Sequence, residues 1–300
     1  MTPEDILKHE PCVLTQAQRE FYFDNGYIAA EGLIPRHWID AVRAASDERI
    51  EASRSENKSG DEFDLAPDHC SEKPHVRRIK RPVDHHPVFR QFAVESPLAD
   101  IAADLVGPDV KFHSCKVNYK HPGGGEVVKW HQDICFWPHT NYSPVTLGFY
   151  FDGCEEAQGP LTVIPGSNKG ELFSHYDDTG NWSGTVSDKD MASQDPDALA
   201  GPTGPAGTVL ALNCRTLHGS KANKTDQVRP ILLYVYTSAD AFPWSYHPTL
   251  TGLSGEIVRG KPAEYPHMDP RPCPVPPDWS KTGYGSIFTS QEKGDDGGMV

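Results

Sequence analysis

The pattern of hydrophobic and polar positions changes character near residue 110. Before that point, apolar residues recur at helical spacing, and Thr15 with Gln18 forms a capping box that marks where one helix begins. The pattern predicts a short strand at 27–31 and helices at 16–25, 35–50 and 87–105. Residues 51–75 are polar and lack periodicity, so we predict a mobile loop there.

Beyond residue 110, short β-rich runs alternate with Gly, Pro, Asn and Asp. Strands are predicted at 110–120, 127–133, 145–151, 161–164, 208–212 and 231–237. Many short strands with regular turn signals are typical of a sandwich or barrel. We therefore expect one domain over 1–300, mainly β with flanking helices. Its parts are a helical and loop part at 1–109, a β core at 110–245 with an insertion at 174–206, and a Pro-rich tail at 246–300.

Composition narrows the class of protein. A formal net charge of −14 argues against a nucleic-acid partner, which would require clustered Lys and Arg. The seven cysteines are scattered without C-x-x-C spacing, which predicts neither a zinc cluster nor a disulfide framework and fits a reducing compartment. No signal peptide or membrane span is indicated. We expect a cytoplasmic protein without a membrane partner, either a monomer or a homodimer.

Three H-x-D sequences are candidates for metal binding: His131-Gln-Asp133, His175-Tyr-Asp177 and His267-Met-Asp269. Only the first ends a β-like run, where residues i and i+2 point to the same face and can reach one metal ion. Such a pair plus a distant histidine supplies the ligand set of non-haem Fe(II). We predict His131, Asp133 and His218 as ligands, and surface or packing roles for the other two histidines.

A second group of candidate residues follows a predicted turn. A hairpin centred between Asn223 and Lys224 would place His218 across from Arg229, with Ser220 on the same face. This arrangement suits a chelating 2-oxo acid whose far carboxylate pairs with Arg229 and Ser220. Taken alone, Arg229 could instead pair with a surface acid, and His218 could be a core histidine.

Four segments resemble the phytanoyl-CoA dioxygenase family of Fe(II)/2-oxoglutarate-dependent oxygenases: His113–Lys120, Trp130–Pro138, Gly159–Gly170 and His218–Pro230. The resemblance spans about residues 15–245 and implies a double-stranded β-helix, the cupin-like jelly roll. It implies that His131, Asp133 and His218 bind Fe(II), and that Ser220 and Arg229 hold the far carboxylate of 2-oxoglutarate. O2 would be the second co-substrate, and ascorbate would stimulate turnover.

The same resemblance implies a polar contact from Asn118 to the co-substrate and an aromatic contact from Trp137 beside it. Residues 114–116 vary among family members, and Ser114-Cys115-Lys116 matches no member with a substrate that could be carried over. A basic cluster at 77–81 could receive an anionic substrate or touch the co-substrate. We favour a strand edge protected by charge for this cluster.

The expected reaction is hydroxylation of a small molecule, with decarboxylation of 2-oxoglutarate to succinate and CO2. Asp133 disfavours a halogenase, since related halogenases replace this carboxylate with a small residue. Two alternatives stay open: desaturation, epoxidation or ring chemistry at the same iron, and a non-catalytic, cupin-like metal-binding protein. Arg229 argues against the second alternative, because a bare metal site has no use for a carboxylate clamp.

Overall fold

The computed structural model describes residues 1–123, 127–195, 198–247 and 249–292. The strands of these residues form two antiparallel sheets. In chain order they are β1 (Tyr27–Ala30), β2 (Phe63–Leu65), β3 (Val76–Lys80), β4 (Val110–Lys120), β5 (Val128–His131), β6 (Val145–Tyr150), β7 (Leu161–Val163), β8 (Thr208–Asn213), β9 (His218–Ser220), β10 (Arg229–Ser238) and β11 (Ile257–Arg259). The major sheet has the order β1-β8-β6-β10-β4-β3-β2, with β11 also paired to β4, and the minor sheet has the order β5-β9-β7.

Helices flank the major sheet. In chain order they are α1 (Pro3–Ile6), α2 (Gln16–Asn25), α3 (Arg36–Ala52), α4 (Pro82–His85), α5 (Pro87–Glu95), α6 (Pro97–Val106), α7 (Asp188–Met191), α8 (Trp279–Thr282) and α9 (Ile287–Glu292). The predicted capping box of α2 is present, and Gly26 ends that helix in the left-handed region at φ 79°. None of the helices in the described part of the chain is long and apolar enough to span a membrane.

The strands of the major sheet bury both faces, and alternation along each strand decides which residues reach the interior between the sheets. In β10, Leu232, Tyr234 and Tyr236 pack in the hydrophobic cluster shared with α5 and α6. Their neighbours Ile231 and Leu233 point the other way, toward the minor sheet. The same alternation turns Arg229 toward that interior. Two facing antiparallel sheets with external helices confirm the predicted jelly roll.

Two predicted elements differ from the structure. The helix predicted over 87–105 is two helices, because Ser96 is extended and caps α6, whose first residue is Pro97. A proline ring disfavours helical geometry in the residue before it, which explains the break. The loop predicted at 51–75 contains β2, whose residues are buried at the edge of the major sheet. Sequence periodicity failed there because a three-residue strand is too short to show it.

The predicted hairpin between His218 and Arg229 is wrong. β9 pairs with β5 and β7, whereas β10 pairs with β4 and β6, so each strand has both edges occupied in a different sheet. His218 lies opposite His131 and Val163, and Arg229 lies opposite Lys120. The two side chains nevertheless line one cavity, because the sheets that carry them face each other.

The basic cluster at 77–81 was also wrongly predicted as an edge. β3 lies inside the sheet, with β2 on one side and β4 on the other. Arg78 is consequently buried, and it pairs across the sheet with Asn118 of β4.

Candidate metal and co-substrate site

Two histidines face each other across the minor sheet. His131 ends β5 and His218 begins β9, and the two are direct cross-strand partners. Their ring centroids are 4.0 Å apart, and both side chains are buried. Pairing of two short strands thus places imidazoles that are far apart in sequence within reach of a single ion.

Asp133 completes the group, although not as a strand residue. β5 stops at His131, Gln132 stays extended (φ −125°, ψ 121°), and Asp133 opens a turn of 3-10 helix. The extended Gln132 keeps His131 and Asp133 on the same side, as strand geometry predicts. Its own amide lies on the opposite side, donating to the carbonyls of Glu171 and Arg215 at 2.9 and 2.7 Å. This amide anchors the turn that carries the carboxylate.

The hydrogen bonds of the two histidines orient their free nitrogens. His131 Nδ1 lies 2.9 Å from the Lys129 carbonyl, and His218 Nδ1 lies 3.0 Å from the Thr216 carbonyl. A carbonyl only accepts, so each Nδ1 carries the proton and each Nε2 presents a lone pair. Burial lowers the pKa of both His131 and His218, which keeps the rings neutral and able to bind a metal.

The donor set fits a divalent transition metal. Each Nε2 lies 3.8 Å from Asp133 Oδ1, too far for a hydrogen bond, and the three ligand atoms lie within 4.8 Å of one another. Asp133 Oδ2 accepts a hydrogen bond of 2.8 Å from Thr146 Oγ1, which leaves Oδ1 directed at the imidazoles. Two neutral imidazoles and one carboxylate, each oriented by a second residue, match the facial triad of non-haem Fe(II) enzymes.

A cavity of about 650 Å³ extends from these three side chains between the sheets; we call it the co-substrate cavity. Its far end is basic: Lys120 and Arg229 are cross-strand partners on β4 and β10, and each is 4% exposed. Lys120 Nζ donates to Ser220 Oγ at 2.7 Å and to the Lys221 carbonyl. Ser220 and Arg229 thus share a cavity as predicted, although through facing sheets and with a lysine between them.

Arg229 has N–H donors that the surrounding side chains and carbonyls do not use. One Nη2 bond of 2.8 Å reaches the Gly159 carbonyl, and the guanidinium carbon lies 5.6 Å from the Tyr150 ring centre. Its Nε is buried and has no hydrogen-bond partner in the part of the chain that the structure describes. Gly159 has φ 64°, and a Cβ there would approach the Lys221 carbonyl oxygen to 2.3 Å. The glycine that opens the Gly159–Gly170 segment therefore allows the close packing that holds Arg229.

The other two predicted site residues, Asn118 and Trp137, line different cavities. Asn118 lines the co-substrate cavity, and its Oδ1 accepts a 2.9 Å bond from Arg78 Nε. Trp137 is buried but lines a second cavity, on the other side of Asp133. His175 has the predicted packing role, accepting the Gln132 N–H at 3.0 Å.

Sequence reasoning missed three polar residues around Asp133 and Arg229: Thr146, Lys120 and Lys116. A signal existed for Lys120, since it lies two residues beyond Asn118 on one strand and so shares its face. The partner of Thr146 could not be read from the sequence, because it depends on the packing of β6 beneath the turn at Asp133.

A family model described as Phytanoyl-CoA dioxygenase (PhyH) matches residues 22–231. The chain belongs to the phytanoyl-CoA dioxygenase family. A probable alpha-ketoglutarate-dependent hypophosphite dioxygenase of Stutzerimonas stutzeri is 30% identical over 294 residues, covering 93% of this chain and 97% of that protein. An ectoine dioxygenase of Sphingopyxis alaskensis is 26% identical over 240 residues, covering 74% and 76% of the two chains.

The fold agrees with this membership. The structure of EctD from S. alaskensis with bound Fe superposes with a TM-score of 0.65 at 22% identity, covering 85% of this chain and 87% of that one. The protein is accordingly a dioxygenase that uses Fe(II), O2 and 2-oxoglutarate, for which alpha-ketoglutarate is a synonym, and it acts on a small molecule. The predicted family, fold class, cofactors and enzyme class are confirmed.

Proposed function

We propose that His131, Asp133 and His218 hold the Fe(II) of this dioxygenase, and that Arg229, Lys120 and Ser220 hold the far carboxylate of 2-oxoglutarate. The observation that carries the proposal is the co-substrate cavity itself. It has two neutral imidazoles and a carboxylate at one end and two buried cations at the other. A dicarboxylate with a 2-oxo group has complementary chemistry at both of its ends.

The reaction takes a substrate R–H, O2 and 2-oxoglutarate to R–OH, succinate and CO2. One oxygen atom enters the R–H bond and the other enters succinate. Bound Fe(II) supplies the activation of O2, and the chain supplies binding and orientation. Thr146 fixes the Asp133 carboxylate, and the carbonyls of residues 129 and 216 fix the imidazole tautomers. Arg229 and Lys120 set the depth at which the co-substrate enters.

Succinate release tests the proposal. Purified protein with Fe(II), ascorbate and 2-oxoglutarate should release succinate slowly even without substrate. His131→Ala and Asp133→Ala should abolish release, since each removes a metal ligand, and Ser220→Ala should weaken 2-oxoglutarate binding. Wild-type rates in both ligand variants would overturn the ligand assignment.

The substrate is a small molecule, and hypophosphite and ectoine, from the names of the two relatives, are the first compounds to test. Substrate-dependent succinate release above the basal rate would identify one. We propose no nucleic-acid or membrane partner and a cytoplasmic location. These proposals are supported by the net charge of −14 and by seven cysteines that are all free thiols.

A further inference from the structure

The dioxygenase has a second cavity beside Asp133, of about 720 Å³, which we call the outer cavity. Lys116, Asp133, Leu233 and Ile287 line both cavities, so the metal group lies at their junction. If the co-substrate cavity is filled by 2-oxoglutarate, as proposed above, the outer cavity is the remaining route by which a substrate reaches the metal.

The outer cavity is basic in an acidic protein. Four of its lining residues are basic, Arg78, Lys80, Arg81 and Lys116, whereas the chain as a whole carries −14. Asp133 is the one acidic residue that lines this cavity among the described residues, and its charge faces the metal ligands. The local excess of positive charge is therefore a property of this cavity, not of composition.

Two of the four cations already have partners. Lys80 donates to the Gly60 carbonyl, and Arg81 forms ion pairs with Asp61 and, at 3.9 Å, with Asp84. Arg81 thus has carboxylate partners, and the Lys80 ammonium is hydrogen-bonded to a carbonyl. Arg78 and Lys116 have neither an ion pair nor a bond to a backbone carbonyl among the described residues.

Arg78 is 3% exposed, and its buried Nη2 has no hydrogen-bond partner within the described ranges. Its Nε donates to Asn118 Oδ1, and its guanidinium carbon lies 5.2 Å from the centre of the Phe288 ring. No described carboxylate forms an ion pair with it: the cross-strand partner Asp64 is paired with Arg77, and the Tyr284 hydroxyl interacts with the Arg78 guanidinium. A buried cationic donor left unpaired is costly, and a bound anion would satisfy it.

Lys116 is half-buried and lies diagonally across from Arg78 on the neighbouring strand. Arg78 pairs with Asn118, and Lys116, two residues before Asn118, pairs with Lys80. Its ammonium has no hydrogen-bond partner among the described residues. Burial, together with the charge of Arg78, lowers the pKa of Lys116 to about 8, against the opposing effect of Asp133. Two neighbouring cations without a shared anion repel each other, and a small anion between them would remove that repulsion.

The remaining wall offers an occupant mainly apolar contacts. It is aromatic, with Phe136, Trp137, Trp279 and Tyr284 around the cavity. Trp279 is fixed by a bond of 3.2 Å from Nε1 to the Phe136 carbonyl. His247 also lines the wall, and burial lowers its pKa to about 3, so it adds no charge at neutral pH.

We propose that the outer cavity binds a small anionic substrate, a carboxylate or phosphorus oxyanion, through Arg78 and Lys116. The inference rests on the proposed function, because it assumes that 2-oxoglutarate occupies the other cavity. The anion would present its R–H bond toward the metal group at Asp133, where the bound Fe(II) would supply the activation of O2. Ser114-Cys115-Lys116 matches no family member with a substrate that could be carried over, and a role of Lys116 in substrate recognition would explain this difference.

Anaerobic calorimetry on the full chain loaded with Fe(II) and saturating 2-oxoglutarate tests this. The probes are acetate, methylphosphinate and methylphosphonate, with acetamide as the neutral counterpart of acetate. At least one anion should bind, and acetate should bind at least about tenfold more tightly than acetamide if carboxylates are the class. Anions that all bind no better than acetamide would refute the proposal.

Variants assign the binding to residues. Arg78→Met and Lys116→Met should each raise the Kd of the anion roughly ten- to a hundredfold, as expected for a lost charge-assisted hydrogen bond. Lys80→Met is the matched control: it removes a cation from the same strand face, but one already bonded to Gly60, so the change should stay below about threefold. Equal losses in all three variants would mean that only general charge matters, against the assignment.

Two further measurements separate the possible failures. If Arg78→Met weakened 2-oxoglutarate binding and left the anion Kd unchanged, Arg78 would serve the co-substrate and the inference would be wrong. Partial rescue by Arg78→Lys, with an unchanged melting temperature, excludes misfolding as the cause of a lost anion response. Failure of the proposed function has a different signature, since wild-type protein would then release no succinate from 2-oxoglutarate even without an anion.

Discussion

Replacement of Arg229 by methionine is the most direct test of the co-substrate cavity. The change removes a buried guanidinium whose Nε has no hydrogen-bond partner among the described residues and whose Nη2 donates to the Gly159 carbonyl. Truncating one partner of a buried, hydrogen-bonded charge pair costs about 2–5 kcal/mol of binding free energy. Lys120 stays in the same cavity and retains one cation, which favours the lower half of that range. We expect a loss of about 2–3 kcal/mol, roughly 30- to 150-fold in the Kd of 2-oxoglutarate.

Arg229→Lys separates charge from geometry. The ammonium retains the positive charge but cannot form the planar fork that matches a carboxylate, so we expect an intermediate loss, roughly tenfold. A 2-oxo acid without the far carboxylate, such as 2-oxobutyrate, should bind wild type and Arg229→Met alike. The preference of wild type for 2-oxoglutarate over 2-oxobutyrate should therefore collapse in the methionine variant.

Anaerobic calorimetry with Fe(II) and the KM for 2-oxoglutarate in succinate release both measure this effect. Arg259→Met serves as a control, because Arg259 also bonds to carbonyls and to Asp100 but lies on β11, away from the cavity. It should lower the melting temperature and leave the Kd unchanged. If Arg229→Met bound 2-oxoglutarate within twofold of wild type, the assignment of this cavity would be refuted.

Three other perturbations give distinct readouts. Thr146→Val removes the hydrogen bond to Asp133 and should weaken metal binding roughly 10- to 100-fold in a metal titration, so an unchanged metal Kd would contradict the orienting role. Gly159→Ala forces a Cβ to within 2.3 Å of the Lys221 carbonyl at φ 64°; it should lower the melting temperature by several degrees and raise the KM for 2-oxoglutarate, and a normal melting curve would argue against it. Burial lowers the pKa of His139 to about 4 from 6.5, so the folded state stays neutral while the unfolded state takes up a proton, and stability present above pH 6.5 is lost as pH falls toward 4. His139→Gln should reduce this loss by about 1.4 kcal/mol per pH unit in urea unfolding between pH 6 and 4.5, and an identical pH slope in both proteins would exclude the histidine as its source.

How far the sequence predicts this site depends on the range of the contacts involved. His131 and Asp133 were identifiable because their relation is local, two residues apart on an extended segment. The relation of His218 to Arg229 is not local: a turn signal between two β-rich runs suggests a hairpin, whereas here the chain crosses from one sheet to the other. The hairpin prediction was wrong, yet it brought together residues that do line one cavity. They meet there because the two sheets of the jelly roll face each other.

The burial of Arg78 shows the other limit. Charge along β3 favours an exposed edge when the strand is considered alone. β2, the three-residue strand that covers this edge, has no periodicity by which it could be recognised, so the interior position of β3 was not predictable. Because β2 covers β3, the basic residues at 77–81 do not protect an exposed strand edge, and three of them line the outer cavity.

The wall over the metal group comes from the last described part of the chain. Ile287 lines both cavities, and Gln291 accepts the Lys129 N–H of β5 at 2.8 Å and donates to the Gly184 carbonyl at 2.9 Å. During synthesis on the ribosome, the residues proposed to hold iron and co-substrate precede this segment in the chain. A chain that lacks α9 also lacks Ile287 at the junction of the two cavities, so we expect it to leave the proposed iron site open to water.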